Sequence, residues 1–120
     1  MKDTIEDIDL LLSFKFYNTL ETDDEKIARE YYESREFTVI NTRDKKALLN
    51  VLKSKNLFLD IKKSGIPDFF IFNLSEHFFV EAKSGNYFLK QNQIEWIKNN
   101  REKVIIFWLR KPKHNIYFEE

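Results

Sequence analysis

Two apolar runs separated by only two residues lie near the middle of the chain, and they constrain its fold more than any other feature. The first covers residues 69–74 (FFIFNL) and the second covers residues 77–80 (HFFV). Both are apolar at successive positions rather than at alternate ones, which is typical of strands that are buried on both faces. The short connection between them predicts an antiparallel hairpin inside a sheet that helices cover on both sides.

The periodicity of the flanking segments predicts those helices. Residues 4–20 are expected to form an N-terminal helix that is apolar on more than one face, as a core helix or a subunit interface requires. Thr22 and Glu25 have the spacing of a capping box, which predicts a second helix that ends near Arg35. The other predicted elements are a strand at 37–40, a helix from 44 that becomes irregular before 60, a helix at 88–100, and strands at 104–109 and 116–118. The expected architecture is one α/β domain with a mixed central β-sheet flanked by helices and an extra N-terminal helix.

Composition narrows the class of protein. The chain has 120 residues and no net charge. It contains no cysteine, which excludes disulfides and thiolate-bound zinc. No apolar run approaches the roughly 20 residues that span a bilayer, and the N-terminus lacks the pattern of a signal peptide, so we expect a cytoplasmic protein. Residues 1–40 hold 5 Lys/Arg and 11 Asp/Glu, whereas residues 41–120 hold 15 and 9. The basic segment 41–120 could therefore bind a polyanion. The acidic excess in residues 1–40 could equally serve only to keep helix surfaces hydrated.

The predicted hairpin also sets the positions of three charged residues at its open end. A loop centred between Leu74 and Ser75 places Asp68 opposite Glu81, because both lie equally far from that centre. Opposed residues have Cβ atoms about 4.5–5.5 Å apart, and two carboxylates at that distance repel each other unless a positive charge lies nearby. Lys83 is two residues beyond Glu81, so it projects from the same face of the sheet.

Two carboxylates and an ammonium group in this arrangement indicate a site for a hard divalent cation. Mg²⁺ (or Mn²⁺) takes oxygen ligands and keeps waters that phosphate oxygens can replace. Such an ion polarises a phosphoryl group and acidifies a bound water, and a neighbouring lysine can orient that water or stabilise the developing charge. The alternative is structural: Glu81 and Lys83 form an ordinary ion pair at a strand end, and Asp68 only follows a turn proline.

The segments GIPDFFIF and FFVEAKSG resemble the motifs of the PD-(D/E)xK nuclease superfamily. The following segment, FLKQNQIEWI, is similar to the VRR-NUC branch, in which a glutamine follows the ExK lysine at the start of a helix. The archaeal Holliday junction resolvases are similar in length and in the order of Asp, Glu and Lys. The resemblance covers about residues 22–110 and implies a restriction-endonuclease-like nuclease core at 22–120, preceded by a helical extension at 1–21.

The resemblance implies a role for each matching residue. Asp68 and Glu81 would bind Mg²⁺ or Mn²⁺, with the backbone carbonyl of Ala82 as a further ligand. Lys83 would be the catalytic lysine, and Gln93 matches the family glutamine. Gln93 also falls on the apolar side of its predicted helix, where an unpaired amide costs about 1–3 kcal/mol, so it must face the metal site or bond to backbone.

Two features upstream of the first predicted strand support the resemblance less strongly. The family carries a glutamate on its first core helix, and Glu25 is the candidate here, although the capping box alone explains it; Glu30 is the weaker candidate. The family usually has glycine before the aromatic residue of the first strand, whereas this chain has Glu36. The sequence therefore leaves the family's tight turn unsupported at this point.

Basic residues around the Gly-x-Pro-Asp turn are candidates for contact with a nucleic-acid backbone. They are Arg43, Lys45, Lys46, Lys62, Lys63 and Lys90. A DNA backbone that binds such a surface releases counterions. The alternative is that these side chains are simply solvated on helix and loop. No segment resembles a base-reading helix, so we expect recognition of DNA structure rather than of sequence.

The expected function is therefore a Mg²⁺-dependent DNA endonuclease that resembles Holliday junction resolvases and acts as a homodimer on branched DNA. Three alternatives stay open. The first is a restriction, repair or flap-type nuclease, or an RNase. The second is a non-catalytic nucleic-acid-binding module. The third is a domain unrelated to nucleic acid.

Overall fold

The structure is a computed structural model that describes residues 20–83 and 89–109. The predicted helix at 4–20, apart from its last residue, and the predicted strand at 116–118 lie outside the described residues. The described elements are α1 (Asp23–Glu33), β1 (Thr38–Asn41), α2 (Lys45–Ser54), β2 (Phe69–Phe72), β3 (His77–Lys83), α3 (Gln91–Asn100) and β4 (Val104–Trp108). None of these three helices has the length and apolar character needed to cross a bilayer.

The four strands form one sheet in the order β1-β2-β3-β4. The β1–β2 and β2–β3 pairs are antiparallel and the β3–β4 pair is parallel, so the predicted mixed sheet is confirmed. In the central hairpin Phe69 pairs with Val80. One step further along this register, Asp68 lies opposite Glu81, as the sequence predicts.

Helices cover both faces of the sheet, which explains why the hairpin strands are apolar at successive positions. On one face, Ala28 and Tyr32 of α1 pack on a cluster that includes Phe69 and Phe78. On the other, α2 and α3 pack on a cluster built around Phe70 and Phe79. Phe69, Phe70 and Phe79 are completely buried. The outcome is a sheet sandwiched between two helical layers.

Strand β3 is longer than predicted, since it continues to Lys83 instead of ending at Val80. The reason is the parallel partner: Glu81 pairs with Ile106, and Lys83 pairs with Trp108. Pairing with β4 keeps the backbone extended beyond the end of the hairpin. Glu81 and Lys83 therefore project from a regular strand and not from a loop.

Helix α1 ends in a tight turn even though no glycine is present there. The N–H of Phe37 donates to the Tyr32 carbonyl (3.2 Å) and the N–H of Glu36 donates to the Glu33 carbonyl (3.0 Å), which is the Schellman pattern. Glu36 has φ 68°, in the left-handed region that glycine favours and that costs another residue about 1–2 kcal/mol. The turn that the sequence left unsupported is thus present, and a glutamate occupies the strained position.

Candidate active site

The site residues predicted from the two strands and from α3 meet at the open end of the β2–β3 hairpin. The N–H of Ala82 donates to Asp68 Oδ2 at 2.9 Å. Gln93 Nε2 donates to Glu81 Oε2 at 2.9 Å, and Lys83 Nζ lies 3.2 Å from the same oxygen. Lys83 Nζ also donates to Gln93 Oε1 at 3.3 Å. Glu81, Lys83 and Gln93 therefore form one hydrogen-bonded group opposite Asp68.

The two carboxylates occupy a setting that disfavours their charged forms. Glu81 is 7% exposed. Burial, followed by the charge of Glu81, raises the pKa of Asp68 to about 7. Burial also raises the pKa of Glu81, although the Lys83 ammonium acts in the opposite direction. Lys83 supplies one positive charge for two carboxylates, so a cation bound between them would relieve the repulsion.

The residue that follows strand β1 and the first turn of helix α3 both contact the turn that carries Asp68. Gly65 has φ +92°, and a Cβ atom built there would lie 2.2 Å from the backbone oxygen of Asn92. Only glycine therefore allows the turn to touch the first turn of α3. On the other side, the N–H of Thr42 donates to the Asp68 carbonyl at 2.9 Å and the Thr42 hydroxyl donates to the Pro67 carbonyl.

Gln93 caps its own helix as well as contacting the site, which corrects the predicted start of α3. The helix begins at Gln91 and not at 88, because Lys90 is extended (φ −73°, ψ 157°). Gln93 Oε1 accepts from the Lys90 N–H at 2.9 Å. The two alternatives for this amide, a backbone bond and a position facing the site, are thus both realised.

Glu25 likewise has two contacts. The capping box is confirmed, since the Thr22 N–H donates to Glu25 Oε1 (3.0 Å) and the Glu25 N–H donates to Thr22 Oγ1 (3.2 Å). The other carboxylate oxygen lies 3.4 Å from Arg43 Nη2. Glu25 is also close enough for its charge to raise the pKa of Asp68 further. Glu30, the weaker candidate, is exposed on α1.

Sequence reasoning missed a buried polar network beside the site. Arg29 Nη2 lies 2.6 Å from Glu21 Oε2, and Arg29 Nε donates to Glu21 Oε1 at 2.8 Å. Asn41 Nδ2 donates to Glu21 Oε2 at 3.2 Å, and Asn41 Oδ1 accepts from the Arg43 N–H at 2.9 Å. The sequence signal is weak, because it consists only of a polar residue that ends an apolar strand.

The predicted nucleic-acid-binding residues are exposed on the surface. They are Arg43, Lys45, Lys46, Lys62, Lys63 and Lys90. Lys63 Nζ lies 3.8 Å from Asp60 Oδ2, and partial burial lowers the pKa of Lys45. Arg43 is joined to the site through Glu25. Exposure is needed both for DNA contact and for simple solvation, so contact with DNA stays a prediction.

The donor set suits a metal ion that depends on few protein ligands. Within residues 20–83 and 89–109, no group of three or more His, Cys, Asp and Glu side chains is placed to hold a metal ion. An ion here would have Asp68, Glu81, the Ala82 carbonyl and waters. Mg²⁺ is commonly held by one or two carboxylates plus waters and phosphate oxygens, and oxygen-only donors suit Mg²⁺ and Mn²⁺. The residues present therefore fit the predicted ion.

Comparisons of the chain with models of known families, with curated proteins and with solved structures gave no match. The resemblance to PD-(D/E)xK nucleases therefore stays a prediction from short motifs, and the functional argument rests on the geometry of the site.

Proposed function

We propose that the chain is a Mg²⁺-dependent endonuclease with a restriction-endonuclease-like core that hydrolyses phosphodiester bonds in DNA. The observation that carries this proposal is the meeting of Asp68, Glu81, Lys83 and Gln93 at one end of the hairpin. An ordinary strand-end ion pair needs only Glu81 and Lys83. It does not account for a second, partly buried carboxylate opposite Glu81, whose charge the surroundings disfavour.

Each residue has a task in this proposal. Asp68, Glu81 and the Ala82 carbonyl hold Mg²⁺ or Mn²⁺, which when bound polarises the phosphoryl group and acidifies water. Lys83 holds its ammonium 3.2 Å from Glu81, where it can contact the attacking water or a phosphate oxygen. Gln93 fixes both neighbours, because its nitrogen donates to Glu81 while its oxygen accepts from Lys83.

The proposed substrate is branched DNA, and the proposed active form is a homodimer. Both rest on the resemblance to Holliday junction resolvases, since a four-way junction requires two symmetric cuts. The exposed basic residues support a polyanionic substrate, because each phosphate contact releases a counterion.

Cleavage of a substrate panel tests the proposal. Labelled four-way junctions, flaps, linear duplexes, single strands and RNA are incubated with Mg²⁺, and products are sized on denaturing gels. We expect symmetric nicks in the junction, lost in EDTA and lowered on the order of 10²–10³-fold by Asp68→Asn or Glu81→Gln. Glu76→Gln is the matched control, because Glu76 is exposed in the turn at the opposite end of the same hairpin.

Other outcomes separate the alternatives. Undiminished cleavage by Asp68→Asn would remove this site from the reaction. Cleavage of flaps, linear duplex or RNA instead of junctions would keep the chemistry and change the substrate. DNA binding without any cleavage would indicate a binding module. Absence of a binding heat in a calorimetric titration with millimolar Mn²⁺ would overturn the metal site. Light scattering tests the dimer.

A further inference from the structure

Arg43 lies beside the candidate active site with its guanidinium group held from two directions. Its Nε donates to Asn41 Oδ1 at 3.2 Å, and its Nη2 lies 3.4 Å from Glu25 Oε2. The Arg43 side chain is nevertheless 48% exposed. In the described part of the chain, no hydrogen-bond partner contacts its Nη1. The guanidinium group is thus fixed in place while it keeps donors for another ligand.

Asn41 is a buried amide with only one satisfactory orientation. Its Oδ1 accepts from both the backbone N–H and Nε of Arg43, at 2.9 and 3.2 Å, and its Nδ2 donates to Glu21 at 3.2 Å. Rotating the amide by 180° would direct its NH₂ group at the Arg43 donors and its oxygen at the Glu21 carboxylate. Glu21 in turn is held by Arg29. The orientation of the Asn41 amide therefore depends on this buried ion pair.

The same strand end connects this network to the carboxylates. Asn41 is the last residue of β1 and pairs with Phe69, which follows Asp68. The next residue, Thr42, donates its N–H to the Asp68 carbonyl. The chain therefore leaves the sheet directly beside the turn that carries Asp68, and Arg43 is the next residue after this contact.

We propose that Asn41 is a positioning residue that holds Arg43 ready to bind a DNA phosphate next to the scissile one, and that the Glu21–Arg29 pair fixes Asn41. This inference rests on the proposed function. An arginine fork matches two phosphate oxygens, and charge-assisted N–H···O bonds are typically about 2.7–2.9 Å long. The Glu25 contact at 3.4 Å is longer than that, so a phosphate can take Nη2 without breaking a strong bond.

Binding of a fluorescently labelled four-way DNA junction in EDTA tests the inference without requiring catalysis. Arg43→Gln is expected to weaken binding about 5- to 10-fold and to lower the slope of log K against log salt by about one. Asn41→Ala should weaken binding about 3- to 5-fold with an unchanged slope, because Arg43 keeps its charge but loses its fixed orientation. Asn41→Ala should have no further effect in the Arg43→Gln background. Equal losses in both backgrounds would mean that Asn41 is merely structural, and would overturn the proposal.

Arg43→Lys tests the same point on an exposed side chain, in case Asn41→Ala does not fold as judged by circular dichroism. This variant keeps the positive charge and loses the Nε donor. It should therefore reproduce the loss of affinity expected for Asn41→Ala, with the same unchanged slope of log K against log salt. Wild-type affinity in Arg43→Lys would overturn the proposal. Arg35→Gln is the matched control and should bind as the wild type does, because Arg35 is exposed near the opposite end of β1 and stacks on Tyr31.

The two proposals fail separately. In Mg²⁺, Arg43→Gln should raise KM several-fold and change kcat less than about twofold. Junction cleavage with unchanged KM and unchanged affinity in Arg43→Gln would overturn the role of Asn41 and Arg43 and leave the nuclease intact. Arg43-dependent binding without cleavage by the wild type would overturn the nuclease and leave the positioned arginine as a DNA contact.

Discussion

Replacing Asp68 with asparagine is expected to stabilise the protein at about pH 8 and to change its stability little at about pH 4. Burial and the charge of Glu81 raise the pKa of Asp68 to about 7, from 3.8 without these effects. Between these values the folded protein binds a proton that the unfolded chain has released. The free energy of unfolding therefore falls as pH rises through this window, and an uncharged asparagine avoids that loss.

The size of the effect follows from the pKa difference. About three pKa units at 1.36 kcal/mol each correspond to about 4 kcal/mol when Asp68 is fully ionised. Because part of the side chain meets solvent, we expect a gain of about 2–3 kcal/mol from Asp68→Asn. The amide oxygen of asparagine can still accept from the Ala82 N–H, so the bond seen at 2.9 Å need not be lost.

Urea denaturation in EDTA at about pH 4 and pH 8 measures this difference, with Glu76→Gln as the exposed carboxylate control. A metal titration adds a second readout: at ten times its Kd, Mg²⁺ should stabilise the wild type by about 1.4 kcal/mol and leave Asp68→Asn unchanged. If asparagine gives the same gain at both pH values, or none at about pH 8, then the charge of Asp68 is not the source of instability.

Two further substitutions test the backbone that supports the site. Gly65→Ala should destabilise the fold by about 2–4 kcal/mol, because the residue has φ +92° and its Cβ would meet the Asn92 carbonyl; an unchanged melting temperature would contradict the close contact. Glu36→Gly should stabilise by up to about 1 kcal/mol in thermal unfolding, since relief of about 1–2 kcal/mol of strain is offset by the greater entropy of the unfolded glycine chain. Glu36→Ala keeps the strain and should give no such gain.

The central hairpin could be predicted from the sequence because its signals are local. The turn needs few residues, and Asn73 Oδ1 accepts from the N–H groups of Ser75 and Glu76 at 2.8 and 2.9 Å, which fixes the loop. Once the loop is set, side-chain alternation fixes which residues face each other. The pairing of Asp68 with Glu81 then follows without knowledge of the rest of the fold.

The polar network around Asn41 could not be predicted, because its contacts join residues that are far apart in the chain. Glu21 is 20 residues from Asn41, and Arg43 is 18 residues from Glu25. Both separations are too long for a contact within one helix or hairpin of this chain, and both contacts depend on how α1 packs on the sheet. The extension of β3 to Lys83 escaped prediction for the same reason, since its parallel partner lies beyond α3.

Structural and functional explanations of the polar residues at this site do not compete, because one side chain can cap a helix and also contact the other residues of the site. Glu25 caps α1 with one oxygen and contacts Arg43 with the other. Gln93 caps α3 through its oxygen and holds Glu81 through its nitrogen. A side chain that is anchored to backbone at one atom loses little further freedom when its other atom binds a ligand. Helix caps that face the sheet end therefore provide preorganised groups of the kind that the proposed phosphate-cleaving site would require.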